Sequence, residues 1–285
     1  MAIHLAKELD AEIISADSRQ FFKELSIGTA KPTPEEQEEA QHHFIDNRSI
    51  TEEYNASMFE GEAMAFLSHY FQEKDVAILC GGSGMYVDAL LQGFDEEIPT
   101  TNSKIREELN EKMEKEGITA LQQLLQQLDP EFYEQVDLRN SKRLLRAIEV
   151  CLITGKPYSS IRKGERKKRP FSNLKIGLEM DRKSLYDRIN LREDQMIADG
   201  LNAEARSVEK YQDKNALKTV GYRELFRHFS GEWELDFAIE KIKINSRRYA
   251  KRQLTWFKKD LEIEWYTPHQ KAEISQYIRK RIFSP

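Results

Sequence analysis

Apolar residues recur along this chain with two different periods, and the change of period marks its structural elements. Short runs of consecutive apolar residues predict buried strands at 12–16, 75–80, 174–180 and 263–266, with a shorter candidate at 43–45. Apolar residues three and four positions apart predict helices over most of the remaining chain. Strands that alternate with helices in this way favour a parallel α/β core.

A long stretch without strand signals interrupts this alternation. After Pro99 the pattern becomes helical, and it ends in a basic, loop-like segment before Pro170. We therefore expect an α/β core formed by residues 1–98 and 171–285, with an all-helical insertion domain at 99–170.

Composition excludes several classes of protein. The chain has 285 residues, of which 39% are hydrophobic and 33% charged, as in ordered soluble proteins. No apolar run is long enough to cross a membrane, and the first residues do not resemble a signal peptide, so we expect a cytoplasmic protein. Its two cysteines, Cys80 and Cys151, do not have the spacing of a metal site.

The distribution of charge is more informative than its sum. A net charge of −5 argues against a nucleic-acid-binding protein, but basic residues crowd the segments 139–146 and 241–252. Such segregation is typical of an acidic protein with one face that binds a polyanion. A solvated helix face would explain any single run equally well, so both interpretations stay open.

The residues of most chemical interest follow the first predicted strand. Asp17 lies at its carboxyl end, which is the ligand-binding edge of an α/β sheet. An Asp at this position can also be only a helix cap or a turn residue. Because Ser18, Gln20 and the turn at 29–32 add hydroxyl and amide groups, we favour a reaction site where the carboxylate accepts a proton or orients a metal-bound water.

Two further features suit phosphate oxygens. The turn Gly81–Gly84 joins a predicted strand to a helix, so its backbone N–H groups can face an anion, although a tight connection alone would also use glycines. Tyr86, just after it, could pack or donate a hydrogen bond. Arg192 lies on the helix after strand 174–180, and its guanidinium can bind oxygens bidentately, unless it forms only a surface pair.

The segment Arg247–Phe257 combines cations, an amide and aromatic rings on one predicted helix. Proteins that hold single-stranded RNA loops place cations on phosphates and aromatic rings on unstacked bases. An amphipathic helix that buries Tyr249 and Trp256 is the alternative, and different faces of the helix could serve both purposes.

Six motifs, in this order, resemble those of the tRNA dimethylallyltransferase family, also called tRNA isopentenyltransferase. They are Asp17–Phe22, Ile27–Pro32, Gly81–Tyr86, Lys142–Val150 with Thr154–Pro157, Lys218–Glu224 and Lys251–Trp256. Each motif is weak alone, but the ordered set is specific and spans nearly the whole chain.

The resemblance implies a P-loop-kinase-like parallel sheet core flanked by helices, with a helical insertion. It also implies transfer of a dimethylallyl group from dimethylallyl diphosphate to N6 of adenosine 37 in the anticodon stem-loop of a tRNA. Asp17 would then be the general base, and Arg192 with Mg²⁺ would neutralise the diphosphate. We expect a monomer.

The resemblance further assigns residues to a substrate pocket and to tRNA binding. The pocket for the prenyl donor and adenosine would contain Ser18, Gln20, Thr29, Ala30, Lys31, Pro32, Gly81, Gly82, Ser83, Gly84, Tyr86 and Arg106. The tRNA-binding positions would be Asp17, Ser18, Arg19, Gln20, Lys142, Arg143, Leu144, Leu145, Arg146, Lys218, Thr219, Val220, Gly221, Tyr222, Arg223, Lys251, Arg252, Gln253 and Trp256.

The sequence departs from the family pattern at two places. Members begin with a strand and a glycine-rich P-loop, which would precede Met1, and Phe22 stands where a Tyr is usual. Because that loop binds the diphosphate, we expect these 285 residues alone to have little or no activity. The alternatives are an isopentenyltransferase acting on a free adenine nucleotide, a non-catalytic tRNA-binding protein and a small-molecule P-loop kinase.

Overall fold

The computed structural model describes residues 1–94, 98–99, 101–162, 164 and 167–283. The chain divides into two compact units, Met1–Leu91 with Phe171–Pro285, and Gln92–Pro170. The division falls at the last residue of a helix that ends at Gln92, whereas the sequence placed the boundary at Pro99.

The first unit contains two parallel sheets. β1 (Glu12–Ser15) lies between β2 (His42–His43) and β3 (Ala77–Cys80) in a three-stranded sheet. β4 (Ile176–Leu178) and β5 (Glu264–Tyr266) form a separate two-stranded sheet.

These sheets confirm the predicted α/β class but correct its details. The sequence suggested a single core sheet, whereas in the described residues β4 pairs with β5 and not with β3. The sequence did not predict this division, because the apolar pattern of a strand does not identify the strand that it pairs with. The candidate strand at 43–45 also ends early. Phe44 and Asp46 have φ angles of 61° and 53°, in the left-handed region, which is incompatible with extended strand geometry.

Helices cover the strands of the first unit. They are α1 (Ala2–Leu9), α2 (Pro34–Glu39), α3 (Ala56–Tyr70), α4 (Gly84–Gln92), α10 (Arg182–Ala198), α11 (Leu201–Val208), α12 (Tyr222–Phe229), α13 (Leu235–Phe257) and α14 (Lys271–Phe283). Short 3-10 turns lie at Ile27–Thr29, Glu209–Tyr211 and Asn215–Leu217. Among the described residues, no helix is both long and apolar enough to span a bilayer.

Two apolar clusters hold this unit together. In the first, Leu5 of α1 packs with Ile274 and Ile278 of α14, and the cluster contacts both Ile78 of β3 and Ile176 of β4. The same two helices therefore anchor both sheets. The second is aromatic and lies just after β1, where the buried rings of Phe21, Phe59 and Tyr86 are in mutual contact.

The described part of the second unit is helical and has its own core. Its helices are α5 (Ser103–Glu116), α6 (Ile118–Leu128), α7 (Pro130–Gln135), α8 (Ser141–Thr154) and α9 (Tyr158–Ile161). The core between these helices contains the buried side chains of Leu109, Leu121, Leu125, Leu144 and Ile148. Helices in this unit are separated at Gly117, whose φ of 79° suits glycine, and at Asp129, whose side chain accepts the N–H of Phe132 at the start of α7.

Candidate active site

Asp17 lies two residues beyond the buried end of β1, as the order of the elements predicts. Its Oδ1 accepts the backbone N–H of Arg19 at 2.8 Å, in a tight local turn. Burial raises the pKa of Asp17 above its ordinary value, and the backbone N–H groups of Arg19 and Gln20 and the charges of Arg19 and Arg192 only partly oppose that rise. The carboxylate is therefore more basic than an exposed aspartate.

The ends of β1 and β3 are joined next to Asp17. The backbone N–H of Ser18 donates to Ser83 Oγ at 3.0 Å, and the two serine hydroxyls lie 3.1 Å apart. A Cβ on Gly81 would lie 2.5 Å from the carbonyl carbon of Ala16. Only glycine therefore allows the segments after β1 and β3 to approach this closely. The structure thus brings Asp17, Ser18 and Ser83 together, as the sequence predicts.

Gln20 ties the end of β1 to the turn at 27–30. Its Nε2 donates to the carbonyl oxygens of Thr29 at 3.2 Å and Ala30 at 3.1 Å, while its Oε1 accepts from Ser15 Oγ at 3.0 Å. All the polar atoms of this side chain are therefore bound within the protein.

The side chain of Lys31, in the next turn position, binds other parts of the fold and not Gln20. Its ammonium donates to the carbonyl oxygen of Phe22 at 2.5 Å and pairs with Asp46, and the side chain is only 5% exposed. Its charge is thus already paired within the fold.

The glycines of the motif Gly81–Tyr86 have a packing explanation. A Cβ on Gly82 would overlap the side chain of Gln253, and one on Gly84 would overlap the ring of Trp256. Gln253 donates to the carbonyl oxygen of Gly82 at 2.9 Å, and the indole N–H of Trp256 donates to Asp88 at 2.9 Å. The turn is therefore glycine-rich at least partly because the end of α13 lies against it. Tyr86 is buried in the aromatic cluster, so it packs.

Arg192 on α10 is exposed, and its positive charge acts on Asp17. Among the described residues it forms no salt bridge, and its charge also acts on the neighbouring Glu193. Glu193 is buried and accepts a hydrogen bond from Ser246 at 2.7 Å. One face of the helix is thus anchored to α13, while Arg192 lies on its exposed face.

Some of the proposed tRNA contacts need correction. Leu144, Leu145 and Tyr222 are buried, so their side chains form cores and not an RNA-binding surface. Gly221 is buried as well. The run of motif residues did not distinguish the outward face of each helix from its inward face.

Other predicted cations do lie at the surface. The exposed cations are Lys142, Arg143, Lys218, Arg223, Lys251 and Arg252. The ring of Trp256 is also at the surface, with 44% of the residue exposed. Thr219 and Val220 are partly exposed. Arg19 is partly exposed, and its charge acts on Asp17, Tyr86 and Tyr249.

In the second unit, the fully buried Glu149 holds two of the predicted arginines. Its Oε2 lies 3.1 Å from Arg106 and 2.9 Å from Arg146, and Arg146 also donates to the carbonyl oxygen of Pro99. One carboxylate between two guanidinium groups leaves a net positive charge at this point.

Sequence reasoning missed Glu204 of α11. Its carboxylate accepts the backbone N–H groups of Ser26 at 2.9 Å, Ile27 at 2.8 Å and Gly28 at 3.0 Å, and the hydroxyl of Tyr222 at 2.6 Å. Nothing in the local pattern distinguishes it among 49 acidic residues, because its partners lie far away in sequence.

A metal site made by the protein alone is not found in the described residues: no three His, Cys, Asp or Glu side chains are grouped to hold an ion. The oxygen donors beside Asp17 are the hydroxyls of Ser18 and Ser83. These are ligands of the kind that Mg²⁺ takes when substrate phosphates supply most of its coordination.

Comparisons with known proteins identify the family of the chain. The chain is 50% identical over 279 residues to tRNA dimethylallyltransferase 1 of Bacteroides thetaiotaomicron, covering 98% of this chain and 90% of that protein. It is similar to the crystal structure of the full-length tRNA isopentenylpyrophosphate transferase from Bacillus halodurans, with 33% identity and a TM-score of 0.72 over 98% of this chain and 91% of that one.

A eukaryotic dimethylallyltransferase solved acting on tRNA shares the fold, with a TM-score of 0.78 at 23% identity over 98% of this chain and 73% of that one. Residues 20–260 match the sequence profile of the IPP transferase family, far more than half of the chain. Together with the relatives, this match shows that the chain belongs to the IPP transferase family.

Proposed function

We propose that this protein prenylates tRNA, transferring a dimethylallyl group from dimethylallyl diphosphate to N6 of adenosine 37. The observation that carries the proposal is the place of Asp17 at the end of β1, where its carboxylate lies next to the hydrogen-bonded pair Ser18 and Ser83. This carboxylate is partly buried, burial raises its pKa, and the charge of the exposed Arg192 acts on it. The names of the relatives support the tRNA substrate and the prenyl group.

The reaction needs a base and an anion-binding group, and these two residues can supply them. The N6 amine attacks C1 of the prenyl group, the bond from C1 to oxygen breaks, and its electron pair leaves with the diphosphate. The amine loses a proton, which Asp17 accepts and later releases to water. Because the pKa of Asp17 is raised, the carboxylate is a better proton acceptor than an ordinary aspartate.

Negative charge grows on the leaving diphosphate, and Arg192 is suited to neutralise it. Its guanidinium has no salt-bridge partner within the described part of the chain, so its charge is available to a ligand. If Mg²⁺ binds with the diphosphate, the hydroxyls of Ser18 and Ser83 would be its protein ligands. When bound, it would neutralise further charge on the diphosphate.

The tRNA would bind through the exposed cations of the first unit. Lys218, Lys251 and Arg252 can contact phosphates, while Tyr249 and Trp256 offer exposed ring surface on α13. The target adenine has to leave its stack to reach Asp17, and an aromatic surface beside the site favours an unstacked base.

The test is mass spectrometry of unmodified tRNA incubated with dimethylallyl diphosphate, Mg²⁺ and this chain. A parallel sample uses the chain with the family's strand and P-loop joined in front of Met1. A mass gain of one dimethylallyl group at adenosine 37 in either sample supports the proposal. No gain in both samples contradicts it.

A competition arm separates the remaining alternatives. Excess AMP should leave tRNA prenylation unchanged if tRNA is the substrate, and prenylated AMP should not form. Prenylation of AMP in place of tRNA would show an enzyme for free adenine nucleotides. Salt-dependent tRNA binding without transfer would indicate a binding protein.

A further inference from the structure

The carboxylate of Glu204 is saturated by partners from a distant part of the chain. Three consecutive backbone N–H groups, those of Ser26, Ile27 and Gly28, and the hydroxyl of Tyr222 all donate to it. The turn is pressed tightly onto this anchor, because a Cβ on Gly28 would lie 2.7 Å from the Tyr222 ring and 2.8 Å from Leu201. The position of the turn is thus fixed by α11 and α12.

The far side of the same turn holds the end of β1. The carbonyl oxygens of Thr29 and Ala30 accept both hydrogen bonds of the Gln20 amide. Gln20 in turn accepts from Ser15 Oγ, and that oxygen lies 3.4 Å from the backbone nitrogen of Asp17. A continuous series of hydrogen bonds therefore runs from Glu204 to the backbone of Asp17.

We propose that Glu204 is a positioning residue for Asp17: it fixes the segment Ser26–Ala30, and through Gln20 that segment fixes the Asp17 backbone. The inference rests on the proposed function for its catalytic consequence. The hydrogen-bond partners of Glu204 in the described residues belong to the turn and to Tyr222, so its effect on Asp17 passes through the turn. A shift of about 1 Å at a reacting group can cost roughly 100-fold in rate, so a remote anchor of this kind is worth measuring.

The variant Glu204→Gln tests the anchor. Its amide keeps the size of the side chain but replaces one acceptor oxygen with an NH₂ group that faces backbone N–H donors. Glu73→Gln is the matched control, since Glu73 is exposed. Hydrogen–deuterium exchange of both proteins is measured by mass spectrometry, which requires no activity.

We expect faster exchange in Glu204→Gln for peptides covering 26–31 and also for peptides covering 15–20, with β4 and β5 unchanged. Faster exchange at 26–31 alone would overturn the proposal, because the turn would then not hold Asp17. An equal increase over the whole unit would also overturn it, because Glu204 would then be only a general stabilising residue.

A double-mutant cycle tests the catalytic consequence. In the chain with the family's strand and P-loop joined in front of Met1, rates of transfer are compared for Glu204→Gln, Gln20→Ala and the double variant, at saturating and limiting tRNA. We expect kcat to fall about 10- to 100-fold in Glu204→Gln with KM for tRNA unchanged, and the double variant to lose little more than the worse single variant.

Independent effects would multiply, and that result would overturn the proposal. Failure to transfer a prenyl group both by the unaltered chain and by the chain with the family's strand and P-loop in front of Met1 is a different outcome: it would refute the proposed function, while the exchange measurement would still decide whether Glu204 holds Asp17.

Discussion

Asp17 and Glu204 are partly buried carboxylates connected by the same turn, and they are bound in opposite ways. Glu204 accepts four hydrogen bonds from the protein. Within the described residues, Asp17 accepts hydrogen bonds from the backbone just after it, and its burial raises its pKa. One carboxylate has its acceptor capacity filled by the fold, while the other keeps basicity that a substrate can use.

The difference shows how one fold gives the same chemical group two roles. A saturated carboxylate fixes the positions of its partners and gains stability from them. An unsaturated, desolvated carboxylate costs stability, and such groups are typical of reaction sites. The two residues should therefore respond in opposite ways when their charge is removed.

The sharpest test of this contrast is Asp17→Asn, for which we expect the largest loss of activity. Removing a general base costs about 10²- to 10⁴-fold in rate, so transfer should fall by that factor while tRNA binding is kept. In this and the following activity measurements the variants are made in the chain with the family's strand and P-loop joined in front of Met1; transfer is measured by mass spectrometry of tRNA, and binding by filter retention. The exposed Asp213, changed to Asn, serves as the control.

The same variant should keep or gain thermal stability although it loses activity. The pKa of the Asp17 carboxyl is raised in the folded protein, so the folded state binds the carboxyl proton more tightly than the unfolded chain does. Above that pKa the carboxyl is ionised, and its buried charge lowers the stability of the fold. At pH 7, Asp17→Asn should therefore unfold at an equal or higher temperature. A clear drop in Tm would mean that Asp17, like Glu204, is structural.

The next largest effect is expected for Arg192→Gln. Loss of a group that stabilises developing charge costs about 10²- to 10³-fold in kcat. Arg188→Gln, one turn earlier on the exposed face of α10, is the control and should keep nearly full activity.

The pH profile of Arg192→Gln adds a readout specific to the pairing with Asp17. Transfer requires ionised Asp17, so the rate falls as pH drops through its pKa. The charge of Arg192 lowers that pKa, and its removal should move the acid limb to higher pH. An acid limb that stays in place would show that the two residues do not interact in the working enzyme.

The sequence predicts much of this site because its parts are local. Asp17, Ser18 and the turn at 81–84 each follow a strand whose apolar run is visible in the chain, and parallel strands present their carboxyl ends at one edge. The α/β class follows from the same alternation of elements. The division of the strands into two sheets does not, because it depends on pairing between segments far apart in sequence.

Contacts over long sequence separations account for what was missed. The glycines at 82 and 84 suggested an anion site, yet Gln253 and Trp256 of α13 lie against them. Glu204 looks like any surface glutamate until α11 is packed beside the turn. Tyr222 belongs to a motif that suggested RNA contact, but its side chain is completely buried.

The smallest effect is expected for Tyr222→Phe, which removes one of the four donors to Glu204. A hydrogen bond to a charged group contributes about 1.5–3 kcal/mol, so the free energy of unfolding should fall by that amount in urea titrations. Three backbone N–H groups still hold the carboxylate, so the turn stays in place and transfer should fall only a few-fold. If transfer instead falls as far as in Glu204→Gln, the hydroxyl of Tyr222 is what orients the carboxylate, and the anchor of the turn is the pair and not Glu204 alone.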